Sequence, residues 1–226
     1  MRYRLIASDF DGTVYHHGEM KETDKLAIAR WRKEGGLFGI VTGRGITFPQ
    51  IMRDLGVDCD FFLCCNGAVL MDAQGAILRE QKLDPAVFAA LSAFFRDTPG
   101  AINYTQTDEN ATLHQYNALM PTNGEASAVT AQVNMRFGEH VNALANGRNI
   151  NVIRIGESKA HGVQTALDHF HLAPDAAAVV GDELNDIHMI RHFNGWAMST
   201  GRPEAIAAAT HLCDSVADLI GQLEGM

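Results

Sequence analysis

Apolar positions along the chain fall in short unbroken runs, each closed by a polar or glycine-bearing loop. Such runs occupy residues 3–8, 37–41, 61–65 and 176–180. Runs of this length without alternation predict parallel strands buried on both faces. Stretches of helical character separate them. One runs over residues 23–34, with Thr23 as its cap and Gly35-Gly36 as its stop. A second ends at Gly56, with Pro49 near its first turn. After residue 158 the alternation resumes: helix 158–170, strand 176–180, helix 184–192, short strand 196–198, helix 203–209, and a final segment 215–223.

The middle of the chain has a different pattern. Residues 68–71 and 76–78 flank Asp72-Ala73-Gln74-Gly75, a hairpin signal. Asp84-Pro85 opens a helix to about residue 95, with Asp84 as N-cap and Pro85 in the first turn. Modest strands are expected at 101–105 and 111–117, a helix at 125–137 and a strand at 149–155. Hairpins mixed with two helices predict a small α+β module. The expected organisation is therefore a Rossmann-like parallel-sheet α/β core, residues 1–70 and 152–226, split by a small inserted α+β domain, residues 71–151. A chain of 226 residues has room for both.

Composition narrows the function. No apolar run approaches the roughly 18 residues of a membrane span. The apolar stretch after Met1 is too short for a signal-peptide core. The expectation is a soluble, cytoplasmic protein with no membrane partner. Acids outnumber bases by 27 to 18 and no basic run exists, which disfavours nucleic acid as a partner. Cys59, Cys64, Cys65 and Cys213 form no C-x-x-C pair, so they read as small buried apolar residues rather than zinc ligands.

Three polar loops follow three of the predicted parallel strands: Asp9-Phe10-Asp11-Gly12-Thr13, Thr42-Gly43-Arg44, and Gly181-Asp182-Glu183-Leu184-Asn185-Asp186. Ligands of open α/β sheets bind at the carboxyl ends of the strands, so all three share one edge. Lys159 opens a helix that reaches the same edge. Asp9, Asp11 and Asp182 would repel one another in one crevice, and a hard divalent cation such as Mg2+ relieves that. Thr42, the Gly43 amide, Lys159 and Asn185 are donors of the kind a phosphoryl group needs. Gly12 lets the backbone approach a ligand closely. Singly, each motif has an ordinary reading: a turn, a helix entry, a helix cap or a solvated lysine. Their order and strand context point jointly to phosphoryl transfer.

With these motifs the chain resembles the haloacid-dehalogenase superfamily, in its Cof-type phosphatase group with a type II cap. Four motifs carry the resemblance: residues 9–13, 42–44, Lys159 and 181–186; Asn66-Gly67-Ala68 and the run from Trp196 to Ile206 add to it. The resemblance implies that the insert is the cap that selects substrate. It implies that Asp9 is the nucleophile and that Asp11 is the acid and base. It implies Mg2+ held by the Asp9 side chain, the Asp11 main-chain carbonyl and Asp182, with Asp186 ligating it through water or bracing the shell. Thr42, Gly43, Lys159 and Asn185, with Gly12 and Arg44, would surround the phosphoryl oxygens, Arg44 contacting substrate or anchoring its loop. The implied partner is a small phosphorylated metabolite such as a sugar phosphate, and the chain would act as a monomer or homodimer. Two departures stand out. The family places glycine directly after the motif lysine, whereas this chain has Ala160-His161-Gly162, and it places leucines where this chain has Val14-Tyr15-His16-His17. The short insert keeps a phosphoglycolate phosphatase open. A phosphomutase and a phospho-metabolite-binding regulator are the remaining alternatives.

Overall fold

The computed structural model describes residues 3–105 and 113–225. It divides into two compact units, Met1–Arg79 with Ser158–Met226, and Glu80–Glu157. The sequence places the insert at 71–151. In the structure the hairpin at its head instead extends the large sheet, and the chain leaves the inserted unit only after Glu157.

The first unit opens with β1 (Leu5–Ser8), α1 (Glu22–Lys33), β2 (Leu37–Val41), α2 (Phe48–Asp54), β3 (Phe61–Cys64), β4 (Val69–Asp72) and β5 (Ile77–Glu80). The inserted unit contributes α3 (Pro85–Arg96), β6 (Ile102–Asn103), β7 (Gln115–Leu119), α4 (Asn123–Phe137), β8 (Val141–Asn146) and β9 (Asn149–Arg154). The first unit then completes with α5 (Lys159–His169), β10 (Ala177–Gly181), α6 (Ile187–His192), β11 (Trp196–Met198), α7 (Pro203–Ala208), β12 (His211–Cys213) and α8 (Val216–Glu224).

The large sheet has the order β12-β11-β10-β1-β2-β3-β4-β5. It is parallel from β12 to β3, and β4 turns back antiparallel on β3. Side chains alternate across each strand. Ile6, Phe38, Ile40 and Phe62 face a cluster built with Ile28 and Trp31 of α1, Phe48 and Met52 of α2, and Leu219 and Ile220 of α8. Leu5, Ala7, Phe61 and Leu63 face the other way, onto Val163, Ala166 and Leu167 of α5 and Met189 of α6. Both faces are covered, which is why the strands read as continuous apolar runs.

In the inserted unit the sheet runs β6-β7-β9-β8. One face, with Tyr116, Ala118, Val141, Ala143, Ile150 and Val152, packs on Leu91 and Phe95 of α3 and Val129 and Val133 of α4. The register puts Gln115, Asn117, Asn142, Asn146, Asn149 and Asn151 on the opposite face. Asp84 caps α3 by accepting from the Ala86 and Val87 amides, as the sequence predicts. Helix α1, by contrast, begins one residue before the expected cap Thr23, with Lys21 at its N-cap and no side-chain cap bond. Of the strand expected at 111–117, residues 111 and 112 lie outside the described residues, and β7 begins at Gln115.

The end of β3 carries the tightest backbone packing near the site. Cys65, Asn66 and Gly67 are successive residues with positive φ, at 53°, 54° and 96°. A Cβ on Gly67 would lie 2.3 Å from the Ser158 carbonyl oxygen, and one on Gly162 would lie 2.8 Å from the Gly67 Cα. The turn after β3 thus rests backbone to backbone on the first turn of α5. Gly162 lies three residues beyond Lys159, on the first turn of α5. Gly67→Ala and Gly162→Ala are each expected to lower unfolding free energy by about 2–4 kcal/mol in urea titrations, from clash and, at Gly67, left-handed strain. A change below about 0.5 kcal/mol in both would contradict this packing.

Candidate active site

In the large sheet β1 lies between β10 and β2, so the chain steps to opposite sides of β1. That is the switch point where open α/β sheets bind ligands at the carboxyl ends of their strands. Register aligns Ser8 with Val180 on one side and Ile40 on the other, and the Asp9 amide bonds the Val180 carbonyl at 2.9 Å. The loops bearing Asp9, Asp182 and Thr42 therefore leave three adjacent strands at the same level.

Lys159 is the first residue of α5, behind the cap residue Ser158, whose hydroxyl accepts from the His161 amide at 3.1 Å. Its side chain is almost wholly buried. The ammonium donates to Asp9 Oδ1 at 2.5 Å and to Asp186 Oδ1 at 2.6 Å. The other Asp186 oxygen accepts from the amides of Asp182 and Glu183, both at 3.1 Å. Thr13 donates its hydroxyl to Asp182 Oδ1 at 2.7 Å. Carboxylate oxygens of Asp9, Asp182 and Asp186 lie within 4.8 Å of one another. Gly12, at φ 87°, makes room for them: a Cβ there would fall 2.2 Å from Asp182 Oδ2.

Electrostatics follow from this count. Burial pushes the Asp9 carboxyl well above the usual aspartate range; Lys159 opposes the shift, while Asp186 and Asp182 add to it. Burial also raises Asp182, against the Thr13 hydrogen bond, and Asp186 reinforces the rise. Burial weakens the Lys159 ammonium, but Asp186 and Asp9 overcome that and hold it above an ordinary lysine. Three carboxylates against one ammonium leave a formal excess of two negative charges in a largely dry site. The donor set is all oxygen and the excess matches one hard divalent cation, so these residues fit such an ion.

The remaining sequence candidates lie around this cluster. Thr42 is buried, and its hydroxyl accepts from the Arg44 amide at 3.1 Å, with Gly43 between them in the loop. Asn185 donates to Asn66 Oδ1 at 3.3 Å, while its own Oδ1 is buried without a partner among the described residues. A buried orphan acceptor is costly unless a ligand or water serves it. The Asp11 side chain, by contrast, is half exposed and outside the three-carboxylate cluster. It accepts two bonds from Arg44, at 2.6 and 2.8 Å. Sequence reasoning gave no role to Thr13, although it closes the first motif, or to the buried Asn66. His16 bonds the Thr13 carbonyl at 2.8 Å through a ring nitrogen. The four cysteines are buried free thiols, pushed up by burial, as expected of small core residues.

Several polar side chains of the inserted unit have partners within that unit. Tyr116 is core, stacked on Phe95 at 5.0 Å. His114 bonds Glu80 at 2.7 Å, Arg148 bonds the Met120 carbonyl at 2.8 Å, and Glu125 accepts from Thr122 at 2.7 Å. Tyr104 bonds Asn149 at 3.1 Å, and Asn103 accepts from the Thr105 amide at 2.9 Å.

Switch-point loops around a buried Asp–Lys–Asp cluster define a Rossmann-like α/β domain carrying an insertion. The sequence profile of the haloacid dehalogenase-like hydrolases matches residues 6–125 and 101–221, and the chain belongs to that family. This agrees with the resemblance carried by the four motifs. An HMP-PP phosphatase of Citrobacter koseri is 24% identical over 242 residues, covering 92% of this chain and 89% of its own length. A protein of Streptococcus pyogenes serotype M6, assigned by name to bifunctional phosphatase/peptidyl-prolyl cis-trans isomerases, is 26% identical over 216 residues. That match covers 83% of this chain, which spans 46% of that relative. In fold the chain is similar to a haloacid dehalogenase-like hydrolase of B. subtilis, with TM-score 0.86 at 16% identity over 97% of this chain and 99% of the other. Among the described residues no helix is long and apolar enough to cross a membrane.

Lys159→Met leaves the buried carboxylates without their ammonium. Its cost at neutral pH is expected to be about 3–5 kcal/mol. Carboxyls raised in the folded state destabilise it as pH climbs from about 3.9, the unfolded value, through the folded value. The deficit should therefore be fullest at pH 8 and smaller at pH 5 in urea titrations without divalent ions. A deficit that grows on acidification would contradict the charge count.

Proposed function

We propose that the protein is a Mg2+-dependent phosphatase of small phosphate monoesters, working through an aspartyl-phosphate on Asp9. The observation that carries this reading is the buried Lys159 ammonium bonded to both Asp9 and Asp186 beside Asp182. Such a site keeps a nucleophilic carboxylate oriented and supplies one fixed positive charge for a phosphoryl oxygen.

In this reading Asp9 attacks phosphorus while the ester oxygen departs with a proton from Asp11. Water then attacks the aspartyl-phosphate, Asp11 takes its proton, and phosphate leaves with Asp9 restored. Gly12, Thr42, Gly43, Lys159 and Asn185 surround the phosphoryl oxygens. Asp9, Asp182, Asp186 and the Asp11 main-chain carbonyl would hold the metal. When bound, Mg2+ neutralises phosphoryl charge and adds Lewis acidity. Relatives named as phosphatases support the hydrolytic outcome.

The inserted unit serves as the substrate-selecting cap. The substrate class proposed is a small phosphorylated metabolite such as a sugar phosphate, as the family resemblance implies. Four buried free thiols support a reducing, cytoplasmic location.

The test is phosphate release from an aryl phosphate with Mg2+. Asp9→Asn should lower turnover at least a thousandfold, and EDTA should abolish wild-type activity until Mg2+ is restored. Full turnover by Asp9→Asn would remove the nucleophile assignment, and full turnover in EDTA would remove the metal.

A further inference from the structure

Asp11, the proposed acid and base, is bound by Arg44. Both Asp11 oxygens are engaged: Oδ2 by Arg44 Nε at 2.8 Å and Oδ1 by Arg44 Nη2 at 2.6 Å. A two-pronged fork of this kind fixes the plane of a carboxylate, which a single bond does not. Arg44 is itself held at three points. Its amide bonds the Thr42 hydroxyl at 3.1 Å, its carbonyl accepts from the Cys65 amide at 2.8 Å, and its guanidinium lies 5.0 Å from the centre of the Phe10 ring. Phe10 is wholly buried, stacked on Tyr15 at 4.7 Å and edge-on to Phe48 at 4.8 Å. An otherwise half-exposed Asp11 is thus tied to a rigid part of the core through one arginine.

We propose that Arg44 is the positioning residue for Asp11 in the water step. The inference rests on the phosphatase reading of the same site. Clamped by the fork, Asp11 is an oriented carboxylate, and each of its oxygens keeps a lone pair outside the fork. That form accepts a proton. In the water step the water oxygen forms a bond to phosphorus, the Asp9–phosphorus bond breaks, and the water proton passes to Asp11. Donation of that proton to the next leaving oxygen uses a protonated carboxyl oxygen, which is a poorer acceptor for one prong of the fork. Arg44 therefore acts on hydrolysis of the aspartyl-phosphate rather than on its formation. This differs from a role in gripping the substrate phosphate, since the Nε–Nη2 edge of the guanidinium is turned to Asp11.

The two roles separate in kinetics. Hydrolysis of the aspartyl-phosphate is common to every substrate, whatever alcohol it carried. We would compare wild type, Arg44→Gln and Arg44→Lys on 4-nitrophenyl phosphate and on an alkyl phosphate, with Mg2+, in steady state and by rapid mixing. Arg44→Gln should show a burst of about one nitrophenol per site, then a kcat about tenfold or more below wild type. Its kcat values for the two esters should converge, while kcat/KM for the aryl ester changes little. Arg44→Lys restores charge without the fork and should recover only part of the rate. Loss in kcat/KM that matches the loss in kcat, with no burst, would overturn the proposal in favour of phosphate binding. So would an Arg44→Gln enzyme that matches wild type, or full rescue by lysine. A wild-type protein inactive on both esters with Mg2+ would instead remove the phosphatase reading.

Discussion

The site depends on one buried interaction, the Lys159 ammonium shared between Asp9 and Asp186. Burying three carboxylates together would be prohibitive without compensation. One lysine, placed by the first turn of α5, meets part of that cost. It also explains features that look unrelated. The left-handed turn at Cys65–Gly67 and the glycine at 162 exist so that α5 can start close enough to β3. The amides of Asp182 and Glu183 bond the far oxygen of Asp186, so the loop after β10 closes around the same lysine.

The compensation is deliberately incomplete. With one cation for three anions the cluster holds excess negative charge; burial raises Asp9 and Asp182, and Asp186 adds to both rises. A site for phosphate cannot remain anionic, and a divalent cation reverses its sign locally. In the proposed reaction the protein's net charge of −9 is therefore no obstacle to an anionic substrate. Among the described residues, most of the other acids are exposed or part-exposed, although Asp24 and Glu157 are buried outside the cluster.

Much of this was legible from residues. Strands β1, β2, β3 and β10 show as unbroken apolar runs because helices cover both faces of their sheet. The first, second and fourth motifs end three of those strands, so their convergence followed from topology alone. Strands β8 and β12 were not foreseen. Val141–Asn146 is built largely of Ala and Asn, weak strand formers, although Asn146-Gly147 marks the hairpin turn. His211–Cys213 is too short to show any period. Spacing also gave no hint that Asp11 would turn from the carboxylate cluster to Arg44, because a side-chain rotamer leaves no trace in sequence. Nor did it identify Thr13 as a partner of Asp182, since threonine at a turn has a sufficient local explanation.

The central claim is that the Asp9–Lys159–Asp186 cluster, with Asp182, repels a phosphoryl group until a divalent cation joins it. Calorimetric titration with beryllofluoride, a phosphoryl mimic for aspartate, tests this directly, with and without Mg2+. Tight binding with Mg2+ and at least a hundredfold weaker binding in EDTA is the predicted result, with Mg2+ affinity rising equally when the mimic is present. Equal affinity for the mimic with and without the cation would contradict the account.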